Sequence, residues 1–277
     1  MSAVTRLVRL AALAGSAAAV ACGTGGPQDI TGAAPVAQIK FFNFGVGAPS
    51  VNFYGNAVKL TAVSSTACAP PADTTAACRT TGVQAAAGTA SGAAAAGGFY
   101  ASITPGPYTL AGQSAVPADS GRTIASVATT IAAGAYYSYY VSGIYTAAAR
   151  TADAFVLRDS LPATVDQTVA LVRFVHAISN AGALTLSFRD PATLREYQTL
   201  PAASYKGATG FTVVAPPGTS SIAAVDFVVR PAGATAPTAV RTNVSLSPGR
   251  IYTVTARGDI TSTTSAGRPQ LDFTPNY

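Results

Sequence analysis

The clearest alternation of apolar and polar positions in the chain occurs twice. In Ile39-Lys40-Phe41-Phe42-Asn43, Ile39 and Phe41 share one face of an extended strand. Val172-Arg173-Phe174-Val175-His176 repeats the pattern without a gap and puts Val172 and Phe174 on the equivalent face. Each run leads through Gly-containing turn material, GVGAPS or ISNAGA, into a second apolar stretch. There Val51 and Phe53 match Leu184 and Leu186. The pattern predicts a strand, a turn and a strand at residues 38–53, and again at 171–188.

Two later blocks recur in the same order. Phe99-Tyr100-Ala101-Ser102-Ile103 aligns with Phe211-Thr212-Val213-Val214-Ala215, each running into a Pro-Gly turn with Leu110 or Ile222 on the return. Ile131-Ala132-Ala133-Gly134 aligns with Leu246-Ser247-Pro248-Gly249, and an aromatic run follows each. Ordered blocks of this kind indicate an internal duplication, at a period too long for a solenoid. Val, Ile, Thr, Tyr and Phe dominate the patterned runs, and Pro/Gly turns recur at short intervals. The expected fold is therefore all-β, with two tandem sandwiches: a first module at 36–162 and a second at 168–277. The first module carries an insert at about 61–98 that holds Cys68 and Cys78 and ends in a low-complexity Ala/Gly tail.

These blocks resemble a known family, the domain-of-unknown-function 4397 family of exported bacterial proteins. Val172-Arg173-Phe174-Val175-His176-Ala177 is similar to its opening strand. Residues 248–258, Pro-Gly-Arg-Ile-Tyr-Thr-Val-Thr-Ala-Arg-Gly, are similar to its closing segment. The first copy departs by carrying Asn43 in place of the His, and neither copy keeps the Ser-Pro-Asp that follows it in the family. The resemblance implies immunoglobulin-like β-sandwiches and an envelope location, and it implies no activity.

The start of the chain fits export. Arg6 and Arg9 precede a short apolar run from Leu10 to Ala21, too short for the about 20 residues a membrane-spanning helix needs. Ala19-Val20-Ala21 is a small-residue cleavage site followed by Cys22, as in bacterial lipoproteins. Residues 1–21 are read as a signal peptide and 22–35 as a flexible tether. Of the three cysteines, lipidation of Cys22 leaves Cys68 and Cys78 as a disulfide pair. Plain secretion with a free Cys22 thiol is the other reading. The expected partner is then a membrane, reached through the lipid on Cys22, in the outer membrane or at the cell surface.

Composition narrows the function. Charged residues are 10% of the chain, against an average of about 25%, and no Lys/Arg stripe marks a nucleic-acid partner. His176 is the lone His, with no ligand partners at metal spacing, and is read as bonding a turn backbone. Asp119-Ser120-Gly121 has the form of an aspartic-protease triplet but lacks the second copy that the chemistry needs. Gly45-Val46-Gly47 lies in a turn with no phosphate-binding Lys after it. No catalytic residue, metal ligand or cofactor site is assigned.

Tyr136, Tyr137, Tyr139 and Tyr140 form the densest aromatic run. Alternation sends Tyr137 and Tyr139 inward, with Tyr252 and Val254 as their counterparts. Tyr136 and Tyr140 then face the other way, as strand packing or as an exposed strip for a glycan or surface protein. The chain is expected to be a non-enzymatic envelope lipoprotein serving adhesion, ligand binding or structure. The alternative is an envelope glycan hydrolase or hydrolase accessory with an unseen site.

Overall fold

The alternating stretch that opens the first module is its central strand, β1 (Ala37–Asn43). The computed structural model describes residues 36–61, 88–214 and 224–276. Cys22, Cys68 and Cys78, the signal peptide and the tether all lie outside the described residues.

Strands are numbered in chain order. β1 pairs in parallel with β8 (Tyr136–Thr146), and β8 pairs antiparallel with β9 (Thr151–Arg158). On its other edge β1 holds β4 (Ala93–Ala94) and β5 (Ala101–Ile103). The facing sheet runs β3 (Val58–Lys59), β2 (Val51–Gly55), β6 (Gly106–Ser114), β7 (Thr123–Ile131). The second module repeats the plan. One sheet runs β13 (Thr212–Val214), β10 (Ala170–His176), β16 (Ile251–Arg257), β17 (Gln270–Pro275). The other runs β12 (Glu196–Thr199), β11 (Leu184–Arg189), β14 (Val225–Pro231), β15 (Ala239–Val244).

The fold is all-β, and each module is a sandwich with its own core. In the first, Ile39, Phe41, Tyr137, Tyr139 and Val141 meet Val51, Phe53, Leu110 and Ile124. Phe53 stacks on Phe41 with centroids 5.1 Å apart and meets Tyr139 edge-on at 5.7 Å. In the second, Val172, Phe174, Tyr252 and Val254 meet Leu186, Phe188, Phe227 and Val229. The inward assignment of Tyr137 and Tyr139 is what the structure has.

Register makes the equivalence of the halves explicit. Gln38 lies opposite Tyr136 as Leu171 lies opposite Ile251, and Tyr137 lies opposite Arg158 as Tyr252 lies opposite Pro275. Both tyrosines reach back to the preceding turn. Tyr137 Oη accepts from the Ala132 N–H at 3.0 Å, and Tyr252 Oη accepts from the Ser247 N–H at 3.1 Å. These corners need the turn before the strand to close tightly, and Gly134 (φ 67°) and Gly249 (φ 72°) supply the left-handed residue in each.

One sequence alignment needs correction. Ala101 pairs with Ile39 as Thr212 pairs with Val172, so the counterpart of Phe211 is Tyr100, not Phe99. The adjacent Phe99-Tyr100 rings made a one-residue slip invisible in sequence, and Phe99 is exposed. The tail of the insert is also more ordered in kind than its composition suggests. Ala93 and Ala94 pair with Asn43 and Phe42 as a short strand, and Ala95–Gly98 forms a 3₁₀ turn.

Above these two cores lies a third. Phe42, Phe44, Tyr140 and Phe155 on the outer face of the β1 sheet pack with Val175 and Ala177 on the outer face of the β10 sheet. The two sandwiches are thus docked sheet to sheet. This explains why β1 and β10 are buried on both faces, a pattern expected of strands covered on each side rather than on one. Gly98 (φ 81°) sits in this contact zone, where a Cβ would lie 2.6 Å from Thr274 Cγ2.

Candidate functional site: a buried polar cluster between the sandwiches

The aromatic strip is not a surface. Tyr140 is 0% exposed. Its ring is stacked between Phe42 and Phe155, each 4.7 Å away and within 15° of parallel. The alternation was right, but the face that points away from the first core points into the contact with the second sandwich. Tyr136 is half-buried and packs edge-on against Tyr100 at 5.0 Å. Tyr140 Oη and Thr255 Oγ1 are buried there without a hydrogen-bond partner. Burial pushes the Tyr140 phenol up to about 12.

His176 does what a turn-bonding His does. It is 0% exposed. The Ile178 N–H donates to Nδ1 at 3.2 Å, so Nε2 carries the proton and donates to Gly182 O at 2.9 Å. Burial holds its pKa below the usual value. Asn43, its counterpart, spans the same interval by donating from Nδ2 to Pro49 O at 3.0 Å, and also reaches Thr89 O at 2.9 Å. Asp119 belongs to an exposed turn, where Arg150 Nη1 bonds its carboxylate at 2.6 Å. Gly47 (φ 72°) occupies a simple turn beside the Val46–Ile144 bridge.

The chemistry lies in the residues between the sheets. Lys40 on β1 and Arg173 on β10 occupy equivalent positions and are 1% and 2% exposed. Arg173 Nη2 donates to Asp159 Oδ1 at 2.6 Å, and its Nε donates to Thr253 Oγ1 at 2.9 Å. Asp159 Oδ2 also accepts from Tyr100 Oη and Ser138 Oγ, each at 2.7 Å. Lys40 Nζ donates to Pro275 O at 2.5 Å and to Asn276 Oδ1 at 2.9 Å, and lies 4.3 Å from the Tyr100 ring centroid. Asn276 Nδ2 donates to Thr253 Oγ1 at 2.8 Å.

The cluster has the logic of a two-fold interface, in which each half gives the other what it receives. Asp159 follows β9 as Asn276 follows β17, and Ser138 stands on β8 where Thr253 stands on β16. The cation of one module therefore reaches the final-strand polar residue of the other, in both directions. Arg173 also lies over Phe211, 5.0 Å from its centroid, as Lys40 lies over Tyr100.

The two cations differ in consequence. Arg173 has a carboxylate in contact, whereas Lys40 has two neutral oxygens. Burial therefore lowers the Lys40 ammonium to about 7, with the charge of Asp159 opposing the shift and Arg173 adding to it. A second set of contacts bridges the modules further along. Tyr205 Oη donates to Asp153 Oδ2 at 3.0 Å and meets Ser142 Oγ at 2.8 Å, and Lys206 Nζ pairs with Asp153 at 2.7 Å. A groove of about 550 Å³ borders the link between modules, lined by Tyr136, Arg158, Asp159, Pro162 and Ile251.

Every carboxylate among the described residues already has a partner. Asp153, Asp159, Glu196, Asp226 and Asp272 pair with Lys206, Arg173, Arg230, Arg189 and Arg257, as Asp119 does with Arg150. Asp166, Asp190 and Asp259 accept from groups of their own turns. No cluster of three potential metal ligands occurs among the described residues. None of the polar interface residues was singled out by sequence motif. The available signal was a charged residue, Lys40 or Arg173, at the centre of a strand and flanked on both sides by apolar residues.

The fold and this cluster define a class: a double β-sandwich whose buried polar groups join its halves. No family model matches the chain, and no curated protein matches it.

Proposed function

We propose that the protein is a non-enzymatic, lipid-anchored component of the cell envelope, of the domain-of-unknown-function 4397 type. In this reading its two sandwiches act as one rigid adhesive or structural body. The observation that carries the reading is the use made of the aromatic and ionisable side chains. Tyr140, Phe42, Lys40 and Arg173 hold the modules together, and Asp159, at the edge of the groove beside the link, is tied to Arg173. A glycan hydrolase would need two carboxylates facing each other across a substrate, and the described carboxylates are each engaged elsewhere. Docked sheets suit a part that must keep its shape at the end of a tether. The anchor in this reading is Cys22, and the insert is closed by Cys68 and Cys78, at about 2–3 kcal/mol in the chain-entropy account.

The test is fractionation of cells producing the full chain, with mass spectrometry of the mature N-terminus. The expected result is a membrane-associated protein beginning with an acylated Cys22. A soluble product with an unmodified Cys22 overturns the anchor. Turnover of envelope glycans by the purified protein overturns the non-enzymatic assignment.

A further inference from the structure

We infer that Lys40 and Asn276 are a site of covalent self-modification, in which an amide bond joins the first strand of the first sandwich to the end of the last strand of the second. Three features of the interface carry this. The first is proximity: Nζ and the Asn276 side-chain oxygen are 2.9 Å apart, and both residues are buried, so the amine rests against the carboxamide it would attack with water excluded. The second is the residue types. At the equivalent pair the protein uses Arg173 and Asp159, an ordinary buried ion pair. Here it uses a cation that becomes a nucleophile on losing a proton, facing an amide that has a leaving group. The third is charge. Lys40 and Arg173 share one buried carboxylate, and an ammonium buried against neutral oxygens is costly to keep. Amide formation removes that charge. Burial, which favours the neutral amine, supports the same step.

The step balances within the chain. The Nζ lone pair attacks Asn276 Cγ, forming the C–N bond. From the neutral amine, Nζ gives up one proton, Nδ2 gains one, and the Cγ–Nδ2 bond breaks to release ammonia; the proton shed by the ammonium beforehand leaves with that ammonia as ammonium. Thr253 Oγ1, 2.8 Å from Nδ2 and bonded by Arg173 Nε, is the hydroxyl that stands beside the leaving nitrogen. No oxidant or co-reactant is needed.

Mass spectrometry of the purified full chain tests this directly. The expected intact mass is lower than that of the processed sequence by one ammonia. The expected digest contains a branched tryptic peptide in which residues 258–277 hang from Lys40, where trypsin fails to cut. A second measurement uses a protease site placed in the link at residues 163–167. All three cysteines precede this link, so no disulfide can bridge it. After cleavage, denaturation and reduction, the halves should remain one species, and Lys40→Arg should let them separate. An unshifted mass, an ammonia loss located elsewhere, or halves of the unsubstituted chain that separate would each overturn the proposal. The mass of the unsubstituted chain decides the matter even where Lys40→Arg fails to fold.

Discussion

Removing the Asp159 carboxylate gives the sharpest test of the docked architecture. In Asp159→Ala, Arg173 loses its only carboxylate, at 2.6 Å, and Tyr100 and Ser138 each lose a hydrogen bond of 2.7 Å. Arg173 is 2% exposed, so water cannot take the place of the lost anion without opening the interface. Deleting one member of a buried pair typically costs about 3–5 kcal/mol, because the other charge stays buried and uncompensated. The two further hydrogen bonds are worth about 1 kcal/mol each, but they share the same site and do not simply add. A total near 4 kcal/mol lowers Tm by about 8–16 °C in a body of this size.

Urea and thermal unfolding of the full chain measure this. Asp119→Ala is the control: Asp119 and Arg150 form an exposed pair of similar length, and its loss should cost under about 1 kcal/mol. The double variant Asp159→Ala with Arg173→Met should recover most of the lost stability, since it removes the stranded charge as well. A cost below about 1 kcal/mol for Asp159→Ala, or no recovery in the double variant, would refute the claim that this ion pair sits dry between the sheets.

Other outcomes follow from the same geometry. Tyr140→Ala should cost about 3–5 kcal/mol in urea unfolding, like other buried aromatic truncations, whereas an exposed strip residue would cost little. Tyr140→Phe should change stability by under about 1 kcal/mol, because its buried hydroxyl has no partner to lose. His176 has a folded pKa below its unfolded value of about 6.5. Its contribution is therefore fully present above that pH and is lost as the pH falls through the folded value. His176→Asn, the residue found at the equivalent position 43, should shrink the stability difference between pH 7.5 and pH 5.5, and an unchanged difference would count against the buried neutral imidazole. Residues 36–165 and 166–277 produced as separate chains should associate one to one in analytical ultracentrifugation, because each alone exposes Phe42 and Tyr140 or Val175 and Ala177; two independent monomers would show the interface to be dispensable.

How far the sequence could be read depended on which face of a strand was in question. Period-2 alternation placed Ile39, Phe41, Tyr137 and Tyr139 correctly because a sandwich core demands apolar residues at every second position. The same rule misled at Tyr140, since it names the opposite face without saying whether water or another sheet lies beyond it. The signal for a second sheet was present in composition: Phe42 on β1 with Phe44 just past its end, and Val175 on β10 with Ala177 just past its end, are apolar on the face alternation leaves to solvent. The role of Asp159 was not legible at all. It stands just past the end of β9, and its significance comes from a residue on the other module, a contact that no local pattern encodes.

The asymmetry within the interface says how the duplication has been used. Two identical modules docked by a two-fold axis would present the same cation twice and the same acceptor twice. Here one side has Arg173 with Asp159 and the other Lys40 with Asn276, and Tyr140 stands on β8 where Thr255 stands on β16. Each difference suits a pair of unlike modules. Tyr140 fits its slot because Phe42 and Phe155 stack on it, and its counterpart Thr255 is a much smaller side chain. Two copies of the first module alone would bring two Tyr140 rings to the same place, although each Lys40 would then meet an Asp159. Two copies of the second would pair Arg173 with Asn276 and lose the one carboxylate of the cluster. The divergence therefore makes the heterologous pair better matched than either self-pair, and it ties the two halves into one folding unit with a preference for each other.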